Sequence, residues 1–134
     1  MTLAGMRTSN ETAREAAGRR QALGAYGEAL AAQHLVERGM VLLDRNWRCP
    51  AGEIDLVLRD GSVLVFCEVK TRSSDVCGSP LEGVDPRKAA RLRRLAARWL
   101  EAHDVRPRDV RIDLVGVLHA PPGRIRFDHV EGVG

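Results

Sequence analysis

The sequence is short of cysteine, of aromatic residues and of long apolar runs, and each shortage removes a class of protein. There are three cysteines, Cys49, Cys67 and Cys77. An odd number without dense spacing argues against a disulfide scaffold. No Cys-x-x-Cys occurs, so a structural zinc site is not expected. Cys67 lies inside an apolar run and reads as a small core residue. Aromatic residues make up 4% of the chain, too few for base stacking to be the main way of holding nucleic acid. The apolar runs Val63 to Cys67 and Leu114 to Leu118 are strand-sized, far below the ~20 residues a membrane helix needs. The start of the chain lacks an apolar signal-peptide core. There is no Gly-rich P-loop either, so ATP-driven chemistry is not expected. A cytoplasmic protein without membrane association is the expectation.

What is present fits one folded unit. The chain has 134 residues, 44% hydrophobic and 29% charged, about one domain's worth and near the globular average. A domain of that size buries roughly two-thirds of its unfolded surface. Residues 1–21 are polar and read as a flexible tail with some helix near Glu11 to Ala17, and residues 22–134 as a single domain. Net charge is +3 and pI ≈ 9.1, but the distribution says more than the sum. Arg87, Lys88, Arg91, Arg93, Arg94 and Arg98 crowd one expected helix. Charge separated in this way suits a protein that meets a polyanion with one face.

The periodicity predicts the order α-β-β-β-α-β-β, an α/β fold with a mixed β-sheet flanked by helices. A helix is expected over Leu23 to Arg38, ended by Gly39, with Ala25, Ala29, Ala32, Leu35 and Val36 on its apolar stripe. Glu28 falls within that stripe, where a carboxylate is costly without a partner. Strands follow at Met40 to Trp47, Glu53 to Arg59 and Ser62 to Thr71, then a loop from Ser73 to Asp85. Asp85 and Pro86 open the second helix, striped by Leu92, Leu95, Ala96 and Trp99. Two last strands, Val110 to Leu118 and Arg124 to Val130, flank Ala120-Pro121-Pro122-Gly123.

The chemistry concentrates in the hairpin. Alternation puts Glu53, Asp55 and Val57 on one strand face, and Leu64, Phe66, Glu68 and Lys70 on one face of the next. With Asp60-Gly61 as a two-residue turn, Asp55 lies across from Phe66 and Glu53 across from Glu68. Like charges ~5–8 Å apart repel by roughly 2–3 kcal/mol per pair at moderate dielectric. One lysine does not neutralise three acids, whereas a divalent cation does. Oxygen donors suit Mg²⁺ or Mn²⁺. In this reading Asp55 and Glu68 hold the metal, Lys70 orients or deprotonates the attacking water or offsets transition-state charge, Glu28 binds the metal through water or braces its ligands, and Glu53 only supports. The same pattern also describes a solvated strand face with ion pairs. Lys88, at the start of its helix stripe, points toward the site or a phosphate. Arg72, Arg87, Arg91 and Arg94 are further candidate phosphate contacts. Arg111 and Asp113 share a strand face and are expected to pair at the sheet's edge. His34, His103, His119 and His129 show no ligand spacing.

These residues resemble a known pattern. Ile54-Asp55 followed by Glu68-Val69-Lys70 is similar to the PD-(D/E)XK nuclease superfamily, without its proline. The wider series is more specific: Gly24-x-x-Gly27-Glu28-x-x-Ala31, Asn46-Trp47-Arg48, Gly52-Glu53-Ile54-Asp55-Leu56-Val57, Val65 to Arg72, and Arg111-Ile112-Asp113-Leu114-Val115. It resembles the YraN family of small bacterial proteins over residues 22 to 130. That resemblance implies a restriction-endonuclease-like fold, similar to archaeal Holliday-junction resolvases. It also implies a nuclease role on DNA, site positions at Glu28, Asp55, Glu68 and Lys70, and a homodimer. The expected function is metal-dependent endonucleolytic cleavage of DNA, at branched or processed structures. The alternatives are a non-catalytic nucleic-acid-binding module on the same fold, or a protein-interaction subunit.

Overall fold

Thr12 starts the first helix. Its hydroxyl accepts from the Glu15 N–H at 3.1 Å while the Glu15 carboxylate accepts from the Thr12 N–H at 3.2 Å, a reciprocal capping box that satisfies two otherwise orphaned donors. The computed structural model describes residues 12–73, 85–120 and 123–133. They form α1 (Ala13–Glu37), β1 (Val41–Cys49), β2 (Gly52–Asp60), β3 (Val63–Arg72), α2 (Pro86–His103), β4 (Asp109–Ala120) and β5 (Arg124–Val130), in the order the periodicity predicts. The capping box carries α1 ten residues upstream of the Leu23 start expected from the apolar stripe, so residues 13–21 are helical rather than tail. The tail at 1–11 and most of the loop at 73–85 lie outside the described residues.

The sheet has five strands in the order β1-β2-β3-β4-β5. The β3–β4 pair is parallel and all the others antiparallel. A parallel pair needs a crossover, and the crossover segment carries α2. One face of the sheet packs Ile54, Val57, Leu64, Phe66, Ile112 and Leu114 against Ala89, Leu92, Leu95, Ala96 and Trp99 of α2. The other packs Leu56, Leu58, Val65, Cys67, Val115 and Val117 against Ala31, Ala32 and Leu35 of α1.

Three expectations need correction. The buried stripe of α1 is Gly27, Ala31, Ala32 and Leu35, while Ala25, Ala29 and Val36 face solvent. The reason is close approach: a methyl group on Gly27 would lie 2.7–2.8 Å from Cγ2 and Cβ of Thr71 on β3. The hairpin turn is Gly61-Ser62, with Gly61 at φ +62°, and Asp60 pairs with Val63. Val57 therefore faces Phe66, and the β2–β3 ladder ends at Leu56↔Cys67. Finally, alternation along β2 fails at Asp55. Ile54 and Val57 both face α2, whereas Leu56 and Leu58 face α1.

Candidate metal centre

The site forms where β2 and β3 part, and the break at Asp55 builds it. Across from Asp55, between the pairs Arg45↔Leu56 and Trp47↔Ile54, stands Asn46 with φ +51°. A left-handed residue inside a strand bends it and re-aims its neighbours. Because Ile54 turns to α2, Glu53 turns to α1, beside Glu28. The carboxylates of Glu28, Glu53 and Asp55 offer oxygens that all lie within 4.8 Å of one another. With its NH₂ toward the acids, the Asn46 amide donates to Glu28 Oε2 at 2.6 Å and to Glu53 Oε1 at 3.3 Å. Asp55 Oδ2 accepts from the Val69 N–H at 2.8 Å, so a side chain takes over the hydrogen bonding that the β2–β3 ladder has just stopped supplying.

The electrostatics follow from that crowding. Burial pushes the Asp55 carboxyl up to about 7, and the charges of Glu28, Glu68 and Glu53 push the same way against the Val69 hydrogen bond. Burial also raises Glu28, with Glu53 adding to the rise and hydrogen bonds to Asn46 and Asp55 opposing it. Arg48 reaches Glu53 at 3.5 Å, but its side chain is 74% exposed, so water screens the pair. Hard oxygen donors this close, with so little cationic compensation, fit a divalent ion of the Mg²⁺ or Mn²⁺ kind. A cleft of about 480 Å³ opens beside them, lined by Gln21, Gly24, Ala25, Glu28, Asn46, Arg48 and Glu53.

The remaining candidates lie around this group. Glu68 is turned toward α2: its Oε2 is 3.0 Å from Lys88 Nζ and its Oε1 3.4 Å from the Arg91 guanidinium. The Lys88 contact is ionic rather than directed, since Oε2 makes no aligned hydrogen bond. Lys70 is exposed on β3. Its ammonium is held below the usual lysine range chiefly by hydrogen bonding with, and repulsion from, Lys88, then by burial. Arg72, Arg87 and Arg94 are exposed. The Asp85 cap of α2 accepts from the Arg87 N–H at 2.9 Å. The structure thus groups Glu28 and Asp55 with Glu53, and Glu68 with Lys88 and Arg91. Beyond its place in a motif, nothing in the sequence marks Asn46, and strand alternation alone makes Glu53 a supporting residue. A second polar group is structural. Asp113 is fully buried and accepts from Arg111 Nε and Nη2 at 2.9 and 3.0 Å and from the Gly132 N–H at 3.1 Å, with His129 Nε2 at 2.8 Å. It sits on β4, an interior strand, not at the sheet's edge.

Known proteins share most of this chain. It is 63% identical over 123 residues to a UPF0102 protein of Nocardioides sp. (strain ATCC BAA-499 / JS614), covering 92% of this chain and 99% of that one. A UPF0102 protein of Beutenbergia cavernae is 56% identical over 115 residues, 86% of this chain and 98% of its own. One from Streptomyces griseus is 57% identical over 115 residues, 85% and 97% respectively. Residues 27–117 match the model of "Uncharacterised protein family UPF0102". That span runs from the glycine that seats α1 on β3, through the acidic fork and the basic helix, into β4. The chain belongs to the UPF0102 (YraN) family.

Proposed function

We propose that this protein is a Mg²⁺- or Mn²⁺-dependent nuclease that hydrolyses DNA phosphodiester bonds, with a site of the PD-(D/E)XK kind and a preference for branched or processed DNA. One observation carries the reading: Glu28, Glu53 and Asp55, from two different elements, converge within 4.8 Å, and Glu68, whose charge acts on Asp55, is held by Lys88 and Arg91 of α2. Glu28, Glu53 and Asp55 would hold the ion, with Glu68 at the border between acids and bases. A divalent ion bound there supplies Lewis-acid polarisation of a phosphoryl oxygen and an acidified water. Lys88 and Arg91 bind and orient the phosphate backbone, and exposed Arg87, Arg94 and Arg72 extend that contact without reading sequence. Lys70, with its lowered proton affinity, is suited to orient or deprotonate the attacking water. By analogy with resolvases the protein acts as a homodimer in the cytoplasm.

A second reading has its own support. Glu68 is engaged by Lys88 and Arg91 rather than by the other acids, an arrangement equally suited to a module that binds nucleic acid without cutting it. The two separate by incubating the protein with single-stranded, duplex, flapped and four-way DNA in Mn²⁺, Mg²⁺ or EDTA, beside Asp55→Ala and Glu68→Ala. The nuclease reading expects metal-dependent cleavage that both substitutions abolish. Salt-sensitive binding with no cleavage by the parent protein would favour the module instead.

A further inference from the structure

We propose that Asn46 is the positioning residue that assembles the acidic centre, acting through its backbone and its amide together; the inference rests on the metal-site reading above. Regular alternation from Leu56, which faces α1, would send Glu53 to the α2 side, away from Glu28. The observed faces differ: Ile54 packs on α2 and Glu53 meets Glu28. The swap occurs opposite Asn46, whose φ of +51° is a conformation that costs a non-glycine residue energy and that asparagine tolerates best. The amide then does a second job. It donates to Glu28 at 2.6 Å and to Glu53 at 3.3 Å, clamping two carboxylates that would otherwise repel and swing apart. A neutral donor bound to two acids fixes their orientation without cancelling the charge a cation needs, which is how groups outside a coordination sphere tune a metal site.

The two roles separate by substitution. N46G keeps the left-handed backbone, which glycine adopts at no steric cost, and removes only the amide. Its melting temperature should stay near the parent's, because relief of the left-handed conformation offsets part of the two lost hydrogen bonds. Its Mn²⁺ affinity, measured by calorimetry without DNA, should fall about 10–100-fold. N46D keeps the shape and the backbone preference but replaces the donor with another carboxylate, so in EDTA it should melt below the parent. If the parent binds Mn²⁺ and N46G binds it equally well, the inference is overturned while the metal reading stands. If the parent binds no divalent ion, both fall. Equal melting of N46D and the parent in EDTA would also overturn the clamp.

Discussion

Asp55 on β2 and Asp113 on β4 are two aspartates of one sheet with a single strand between them, and they are treated in opposite ways. Asp113 is fully buried, yet Arg111, His129 and the Gly132 N–H answer both of its oxygens. Although burial alone would raise it, His129 and Arg111 hold its carboxyl below the usual aspartate range. Arg111 in turn is shared with Asp60 at 3.1 Å. Gly132 and the Val133 N–H, which donates to the Ile112 carbonyl at 2.8 Å, tie the residues after β5 back to β4. Asp55 has one backbone donor and three acids for company, and burial pushes it up to about 7. A satisfied carboxylate stabilises a fold, whereas one left short of cations stores a demand for charge. The contrast separates an architectural ion group from a candidate reactive one within the same domain.

The sharpest way to break the comparison is to neutralise each aspartate. Asp113→Asn should cost about 3–5 kcal/mol, because it leaves buried partners of a charge unanswered; urea unfolding at pH 7.5 reads this directly. Gly27→Ala should cost about 1–3 kcal/mol by overpacking against Thr71, and it should weaken Mn²⁺ binding because Glu28 is the next residue. Asp55→Asn should act in the opposite direction, raising stability by about 0.5–2 kcal/mol at pH 8 while lowering Mn²⁺ affinity. Loss of stability in both asparagine variants would erase the distinction between the two sites.

pH sharpens the same contrast with smaller effects. The folded-state value of Asp55 is raised from 3.8 to about 7, so the native protein keeps a proton that the unfolded chain has lost. Between about pH 4 and 7 this group makes stability fall as pH rises, and the penalty is constant above that window. The advantage of Asp55→Asn should therefore shrink on going down from pH 7 and vanish below the unfolded value. Asp113 has the opposite sign. Its folded value is depressed, so its contribution is full above the unfolded 3.8 and is lost as pH falls through the folded value. Mn²⁺ affinity should rise with pH up to about 7, since binding must displace the Asp55 proton. Parallel stability curves for parent and Asp55→Asn across pH 4–8 would count against the raised value.

Local signals in the sequence were legible. Asp85-Pro86 opens α2 as its capping chemistry predicts, and Leu92, Leu95, Ala96 and Trp99 are its buried stripe. The order of elements follows from periodicity alone. The hairpin shifted by one residue at each strand end because Gly61 rather than Asp60 starts the turn, and the β2–β3 ladder ends at Leu56↔Cys67, before it reaches Asp55 and Glu68. What was not legible depends on contacts between elements. The buried stripe of α1 runs through Gly27 and Ala31 rather than Ala25 and Ala29, because the helix is rotated to bring Gly27 against Thr71 of β3. Of the candidate site, Glu28 and Asp55 fall together as their motifs suggest, but Glu53 joins them only because alternation breaks at Asp55. That break belongs to a left-handed Asn46, and nothing local requires it.

The Val69 N–H, bonded to a carboxylate instead of to a carbonyl of the adjoining strand, is a built-in gauge of the centre. Any event that takes electron density from Asp55, a proton or an ion, loosens that bond. A single amide resonance should therefore register occupancy in solution, without a label and without turnover.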